Sequence, residues 1–284
     1  PIMKNLITLP FFLFFITLSY SQLDAPVASP RAKISQKIGL VDVNLDYSRP
    51  SKRGRVIFGE LVPYGKIWRT GANNPTMISF TGDVKINNEF LKKGKYHMYS
   101  VPSENTLDLI IYSKTNAWGS LSEFDESLVK LRVSAKFQNM NIPTETFSIS
   151  FENISNNGAK MSVRWDNKSA IYSIDVLTKD KMLTNINNVL SGSPTPNDYR
   201  KAAVYYYEEN IDINKAIDWI DIAFKDSDDL KYWQLMYKAL IYEKAGKMEK
   251  ARQYAKKGLD KAKANNIPDG MNTLGIISKR LNEK

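Results

Sequence analysis

The sequence predicts an all-β antiparallel sandwich domain followed by an all-α helical-repeat domain. Two patterns in the 284-residue chain indicate this division. Between residues 33 and 178, polar and apolar residues alternate in many short runs, as they do in half-buried antiparallel strands. Beyond residue 196 the apolar residues follow the helical period, and several of them recur at a spacing of 35 residues.

Residues 1–21 have the features of a secretory signal peptide. A positive charge precedes an apolar run over residues 6–18, which is shorter than the roughly 20 residues of a membrane span. Small residues at Ser19 and Ser21 place the cleavage after Ser21, and the two residues before Met3 are expected to lie upstream of the true start. We expect a secreted or periplasmic protein of the bacterial envelope, with no transmembrane segment after cleavage. An uncleaved anchor helix is the alternative.

Residues 22–32 are rich in Pro and Ala and are predicted to be a flexible lead-in. The β-sandwich is predicted over residues 33–178. Its clearest strand is Val41–Tyr47, in which every second residue is apolar. Turn pairs such as Asn87-Asn88 separate the strands, and many short strands at this spacing are typical of a sandwich. The further strand candidates are residues 76–80, 96–101, 107–112, 131–137, 146–151, 161–165 and 170–176.

Residues 179–196 are predicted to be a linker with a short helix, ended by a run of Ser, Gly and Pro. Residues 197–284 form the predicted helical-repeat domain. Its repeat pairs Tyr207, Ala216 and Phe224 with Tyr242, Ala251 and Leu259, each 35 residues apart.

The second repeat unit, with Ala239, Gly246 and Ala251, is similar to a tetratricopeptide repeat. Small residues at these positions let two helices approach, and the glycine permits the turn between them. The first unit departs from the pattern, since Ile211 stands at the position of the turn glycine. We expect the tail either to bind a protein partner or to serve as a structural buttress.

Composition limits the chemistry of this chain. It has no cysteine, which excludes disulfides, thiolate metal sites and a cysteine nucleophile. Its one histidine, His97, excludes a multi-histidine metal site, and packing is the expected role. No metal or cofactor is therefore expected. The formal net charge of +10 suits an anionic partner, but dispersed lysines and an exported location speak against nucleic acid.

The stretch of residues 47–81 contains the candidate ligand site. Its turn residues fix a long loop, and a loop of this length in a compact domain is usually functional or disordered. Apolar anchors within it argue against disorder. Arginines can hold a carboxylate or phosphate, and aromatic rings can stack on a sugar. The alternative is that the arginines only brace the loop through its carbonyl groups. The predicted ligand-binding residues are Arg49, Arg55, Tyr64, Trp68, Arg69 and Asn73.

Carboxylates offer one further hypothesis. Asp42 and Asp46 lie on the same face of one predicted strand, and Glu60 follows in the loop. Glycoside hydrolases use a pair of carboxylates as their catalytic residues. The other interpretation is that they form the solvated face of a half-buried strand.

Four motifs in this region resemble a family of secreted bacterial proteins catalogued as domain of unknown function 2911. They are S-R-P (Ser48–Pro50), G-R-x-I-F-G (Gly54–Gly59), L-V-P-Y-G (Leu61–Gly65) and W-R-T-G-A-N (Trp68–Asn73). The resemblance covers residues 28–178 and includes a late Arg164-Trp165. It implies a β-rich domain and a secreted or periplasmic location, and it implies no established activity.

The function predicted from the sequence is that of an exported, non-catalytic binding module. An Arg, Trp and Tyr loop would bind an anionic or carbohydrate ligand, and the helical tail would pack or bind a protein. An envelope scaffold and a carboxylate-dependent hydrolase are the alternatives.

Overall fold

A computed structural model describes residues 25–116, 124–225 and 229–283. The chain divides into two compact units, with the division between Val176 and Leu177. The predicted signal peptide and the start of the lead-in lie outside the described residues. Within the described ranges, no helix is long and apolar enough to cross a membrane.

Over its described residues, the first unit is an antiparallel sheet of nine strands, which confirms the predicted all-β domain. The order of the strands in the sheet is β1-β2-β3-β6-β7-β8-β9-β4-β5. The strands are β1 (Arg31–Ile38), β2 (Val41–Ser48), β3 (Ala72–Phe80), β4 (Val84–Ile86), β5 (Glu89–Leu91), β6 (Gly94–Pro102), β7 (Thr106–Tyr112), β8 (Val129–Glu152) and β9 (Gly158–Val176).

The length of β8 divides this sheet into two layers. Its first part, up to Lys136, pairs with β7, and its second part, from Phe137 onward, pairs with β9. The register between β8 and β9 shifts twice between Asn139 and Ser148. Such irregularities bend a strand, so one strand can serve both layers. One layer therefore runs from β1 to the start of β8, and the other contains the end of β8, β9, β4 and β5.

One apolar core lies between the two layers. The alternating residues of β2, from Val41 to Tyr47, are at most 3% exposed, as the sequence pattern predicts. Buried tyrosines also join the layers through their hydroxyl groups. The Tyr47 hydroxyl accepts from the Ile149 amide at 3.1 Å, and the Tyr172 hydroxyl donates to the Leu107 carbonyl at 2.7 Å. Burial raises the pKa of Tyr172 and keeps this donor protonated.

The second unit is helical, which confirms the predicted all-α domain. Within the pairs α2–α3 and α4–α5, the two helices pack against each other. These two pairs support the likeness to tetratricopeptide repeats in a general sense. The helices are α1 (Thr178–Leu190), α2 (Pro196–Glu208), α3 (Ile213–Ala223), α4 (Tyr232–Lys244), α5 (Met248–Ala264) and α6 (Pro268–Asn282).

Small residues determine how closely these helices pack. Ala216 and Ala251 are fully buried. A Cβ atom at Gly258 would lie 3.1 Å from Leu274 and 3.2 Å from Leu235, so glycine lets α5 lie against both α4 and α6. Gly246, in the turn between α4 and α5, has a φ of +73°, which is the left-handed conformation that glycine adopts at the end of a helix.

Substitution of two glycines of the tail should change the free energy of unfolding in opposite directions. We expect Gly246→Ala to lower the free energy of unfolding by about 1 kcal/mol, because alanine is strained at positive φ. Gly275 lies inside α6 with open space at its Cβ position, so Gly275→Ala should raise it by about 0.5–1 kcal/mol. Urea denaturation of the two variants measures both effects. Equal signs would contradict this backbone description.

Candidate functional site

Residues 49–71, called the motif loop from here on, connect β2 to β3. They contain the four sequence motifs except for Ser48, which ends β2, and Ala72 and Asn73, which begin β3. The first part of the loop pairs with β8. The Phe147 amide donates to the Pro50 carbonyl at 2.9 Å, and the Lys52 amide donates to the Glu145 carbonyl at 2.7 Å. These bonds attach the loop to the layer that contains β9.

The returning part of the motif loop pairs with β6. Trp68 and Ser100 exchange two backbone hydrogen bonds, at 2.7 and 2.8 Å, and the Gly65 amide donates to the Pro102 carbonyl at 2.8 Å. Since β6 belongs to the other layer, the motif loop bridges the two layers of the sandwich.

Trp68 anchors the loop in the aromatic part of the core. Its ring stacks on Trp165 with centroids 5.8 Å apart and an interplanar angle of 20°. Phe147 and Phe58 contact it edge-on, at 5.1 and 6.2 Å. The indole nitrogens of both tryptophans donate to backbone carbonyls, of Gly71 and Glu145 respectively. Trp68 is therefore held by packing against three aromatic rings and by one hydrogen bond.

The turn after Trp68 is held in an unusual backbone conformation. Thr70, Gly71 and Asn73 all have positive φ, at +50°, +149° and +58°. Positive φ is a rare conformation for a β-branched residue such as Thr70. A hydrogen bond of 2.5 Å between the buried hydroxyls of Thr70 and Ser100 holds it in place. Strained backbone of this kind is concentrated at functional sites in proteins.

A cleft of about 300 Å³ lies against this turn. Three of the ligand-binding residues predicted from the sequence, Arg55, Trp68 and Arg69, line it together with Arg53 and Trp165. This set is called the arginine cleft below. The other lining residues are Ala28, Ser29, Pro50, Ser51, Leu61, Val62, Gly71 and Ala72.

The three arginines of the cleft donate to neutral backbone carbonyls. Arg53 Nη2 lies 3.3 Å from the Ala28 carbonyl oxygen, and Arg69 Nη1 lies 2.8 Å from that of Asn73. Arg55 donates twice, to the carbonyls of Lys52 at 2.9 Å and Ser51 at 2.6 Å. None of the three forms a salt bridge with a carboxylate of the described residues. Three positive charges thus share one cleft.

The other three predicted residues lie beside this cleft and do not line it. Arg49 donates from Nε to the Phe147 carbonyl at 3.0 Å, so it braces the loop against β8. Tyr64 is 40% exposed, and its ring lies close to Gly59. The Asn73 side-chain amide donates to the Ser48 hydroxyl at 3.3 Å and lies 3.5 Å from the Ser29 carbonyl.

Two cleft residues were absent from the predicted set. Arg53, which has a φ of +51°, belongs to the same arginine-rich stretch as the predicted arginines. Its position in the sequence could therefore have indicated that it belongs to the site. Trp165 ends the alternating run of Met161, Val163 and Trp165 on β9. It lies beside Trp68 because strands distant in sequence pair with each other, and local periodicity cannot predict such pairing.

The carboxylate pair of the hydrolase hypothesis does not assemble. Asp42 accepts from Lys37 at 3.4 Å, and Asp46 is paired with Arg31. The hydrogen bond from Arg31 lowers the pKa of Asp46. Four residues along a strand separate two side chains by about 13 Å, beyond the roughly 10 Å that hydrolysis of a glycoside allows. The described residues also contain no group of three His, Cys, Asp or Glu that would hold a metal.

These elements define a class of protein in which a two-layer β unit with an arginine cleft is followed by a helical unit. A family model with the description "Protein of unknown function (DUF2911)" matches residues 29–174. Because the match covers just over half of the chain, the chain belongs to this family, and the resemblance seen in the sequence is confirmed. The match includes the whole motif loop. Comparisons with curated proteins and with solved structures found no match.

Arg49 provides a test of the bracing role. Arg49→Ala removes the bond to the Phe147 carbonyl, and we expect the free energy of unfolding to fall by about 1–3 kcal/mol. Chemical denaturation measures this loss. Lys66→Gln, at an exposed site of the same loop, is the matched control and should change stability little. An unchanged stability in Arg49→Ala would show that the brace is dispensable.

His97, on β6, is 2% exposed, and its Nδ1 atom has no hydrogen-bond partner among the described residues. Burial, and to a lesser degree the nearby Lys95, lowers the pKa of His97. Its ring contacts Tyr99 edge-on at 6.1 Å, and burial raises the pKa of Tyr99 to about 12. His97 is thus a packed residue that is neutral at pH 7, and it does not line the arginine cleft.

The lowered pKa of His97 predicts a pH-dependent stability. The unfolded chain takes up a proton below pH of about 6.5, whereas the folded chain resists it. We therefore expect stability to fall as the pH drops from 7.5 to 5. His97→Gln should flatten this dependence, because His97 is the one histidine of the chain. Melting temperatures of both proteins across this range test it, and parallel curves would contradict it.

Proposed function

We propose that this protein is an exported, non-catalytic binding module whose arginine cleft holds a small anionic ligand. The observation that carries the proposal is the convergence of Arg53, Arg55 and Arg69 on one cleft, where none of the three guanidinium groups forms a salt bridge with a carboxylate of the described residues. Like charges repel one another, and a bound anion would relieve this repulsion.

The arginines retain the donors that an anion requires. A guanidinium group has five N–H donors, of which Arg53 and Arg69 each use one and Arg55 uses two. The bonds of Arg55 and Arg69 to nearby carbonyls hold these two side chains in place. Binding therefore costs little rotamer entropy, and hydrogen bonds from arginine to an anion are among the stronger ones in proteins.

The arrangement of the aromatic rings supports an anion more than a neutral sugar. Stacking on a sugar requires an open ring face, but Trp68 packs on Trp165 and meets the edges of Phe58 and Phe147. Tyr64, the other stacking candidate, lies outside the cleft lining. The cleft volume of about 300 Å³ lies at the lower end of the range for small-molecule sites. A compact ligand with a carboxylate or phosphate group fits these features best.

Thermal stabilisation by defined anions tests the proposal. Phosphate, citrate and glucuronate serve as probes, with neutral glucose as the control ligand. We expect at least one anion to raise the melting temperature, since a ligand at about 100 times its Kd stabilises the folded state by roughly 2.7 kcal/mol. Arg53→Gln and Arg69→Gln should each abolish this shift. Lys66→Gln removes a charge of the same loop outside the cleft lining and should retain it.

The melting temperature without ligand separates binding from bracing. If Arg53→Gln and Arg69→Gln melt close to the unmodified protein but lose the anion response, the cleft is a binding site. If both variants lose substantial stability and no anion shifts the unmodified protein, the arginines serve only to brace the loop and the proposal fails.

A further inference from the structure

We propose that residues 25–30 form a strap at the rim of the arginine cleft, and that a bound anion competes with this strap for Arg53. The second half of this proposal rests on the proposed anion site. The first half concerns the protein without ligand and stands on its own.

Three successive carbonyl groups of the strap face donors of the next elements. The Pro30 carbonyl accepts from the Arg49 amide at 2.9 Å, which extends the pairing of β1 with β2 by one step. The Ser29 carbonyl lies 3.5 Å from the Asn73 side-chain amide. The Ala28 carbonyl lies 3.3 Å from Arg53 Nη2. Ala28 and Ser29 also line the cleft, so the strap forms part of its wall.

The strap is held weakly at its outer end. Residues 25–28 are exposed and lie outside any strand, and Val27 is 67% exposed. The bonds from Asn73 and Arg53 are both longer than the usual 2.9–3.0 Å of an N–H···O bond. Little apolar burial therefore opposes release of residues 25–28, whereas the Pro30 contact fixes the point about which they would turn.

An anion is a better partner for Arg53 than the Ala28 carbonyl. The charge of the guanidinium strengthens both bonds, but only an anion adds the attraction between two opposite charges and can accept from two donors of the guanidinium at once. An anion in the cleft can therefore displace the Ala28 carbonyl, which lies 3.3 Å from Arg53 Nη2. Arg53 then has two states, one bonded to the strap and one bonded to the ligand, and release of the strap accompanies binding.

A spin label on the strap tests this exchange in the full chain. The chain has no cysteine, so Val27→Cys accepts a single label at an exposed position. Without ligand we expect a slow component in the paramagnetic resonance spectrum, caused by the held strap. Arg53→Gln combined with Asn73→Gly should remove this component, since glycine tolerates the positive φ of residue 73. Lys66→Gln should leave it unchanged.

Addition of phosphate, citrate or glucuronate then tests the competition. An anion that binds should remove the slow component, as the double variant does. The strap is overturned if the ligand-free spectra of the labelled protein and the double variant are the same. The competition is overturned if an anion binds by thermal shift and the spectrum stays unchanged. If no anion binds, the competition fails together with the anion site, while the ligand-free spectra still decide whether the strap is held.

Discussion

The attachment of one loop to both layers of the sandwich is the constraint on which the site depends. Backbone pairs at Pro50 and Phe147 tie the motif loop to one layer, and pairs at Trp68 and Ser100 tie it to the other. Between these points Trp68 covers the buried Trp165. Without this attachment the cleft would lose its wall, and an aromatic part of the core would be open to solvent.

Bracing and binding are compatible in the arginine cleft, although the sequence presents them as alternatives. Arg55 and Arg69 are oriented by their bonds to nearby carbonyls, which take two and one, respectively, of the five donors of each guanidinium. The same bond that stiffens the loop thus presents the remaining charge. Lysine in these positions would supply charge without the planar fork that allows both tasks. Arg49 differs from the others because it donates to β8 and lies outside the cleft lining.

Local patterns were sufficient for the class of fold and insufficient for the site. Alternation in β2 predicted its buried face, because a strand with one face on the core must alternate. The double role of β8 was not predictable, since its 24 residues read as separate short strands and the bends arise from pairing with β9. Likewise, Trp165 joins the cleft through contacts between segments distant in sequence. Arg55, Trp68 and Arg69 could be predicted because turn residues and motifs mark their loop. The local sequence does not show, however, that Arg55 lines the cleft and Arg49 does not.

The hydrogen bonds around the site connect parts of the chain that are far apart in sequence and are synthesised at different times. The Tyr47 hydroxyl bonds to Ile149, 102 residues further along, and Arg49 bonds to Phe147, 98 residues away. Contacts across such distances form slowly, since a long loop of chain must first be ordered. We therefore expect the arginine cleft to form only after β8 has paired within both layers. Binding of the proposed anion would then report on a fully folded β unit more sensitively than strand content does.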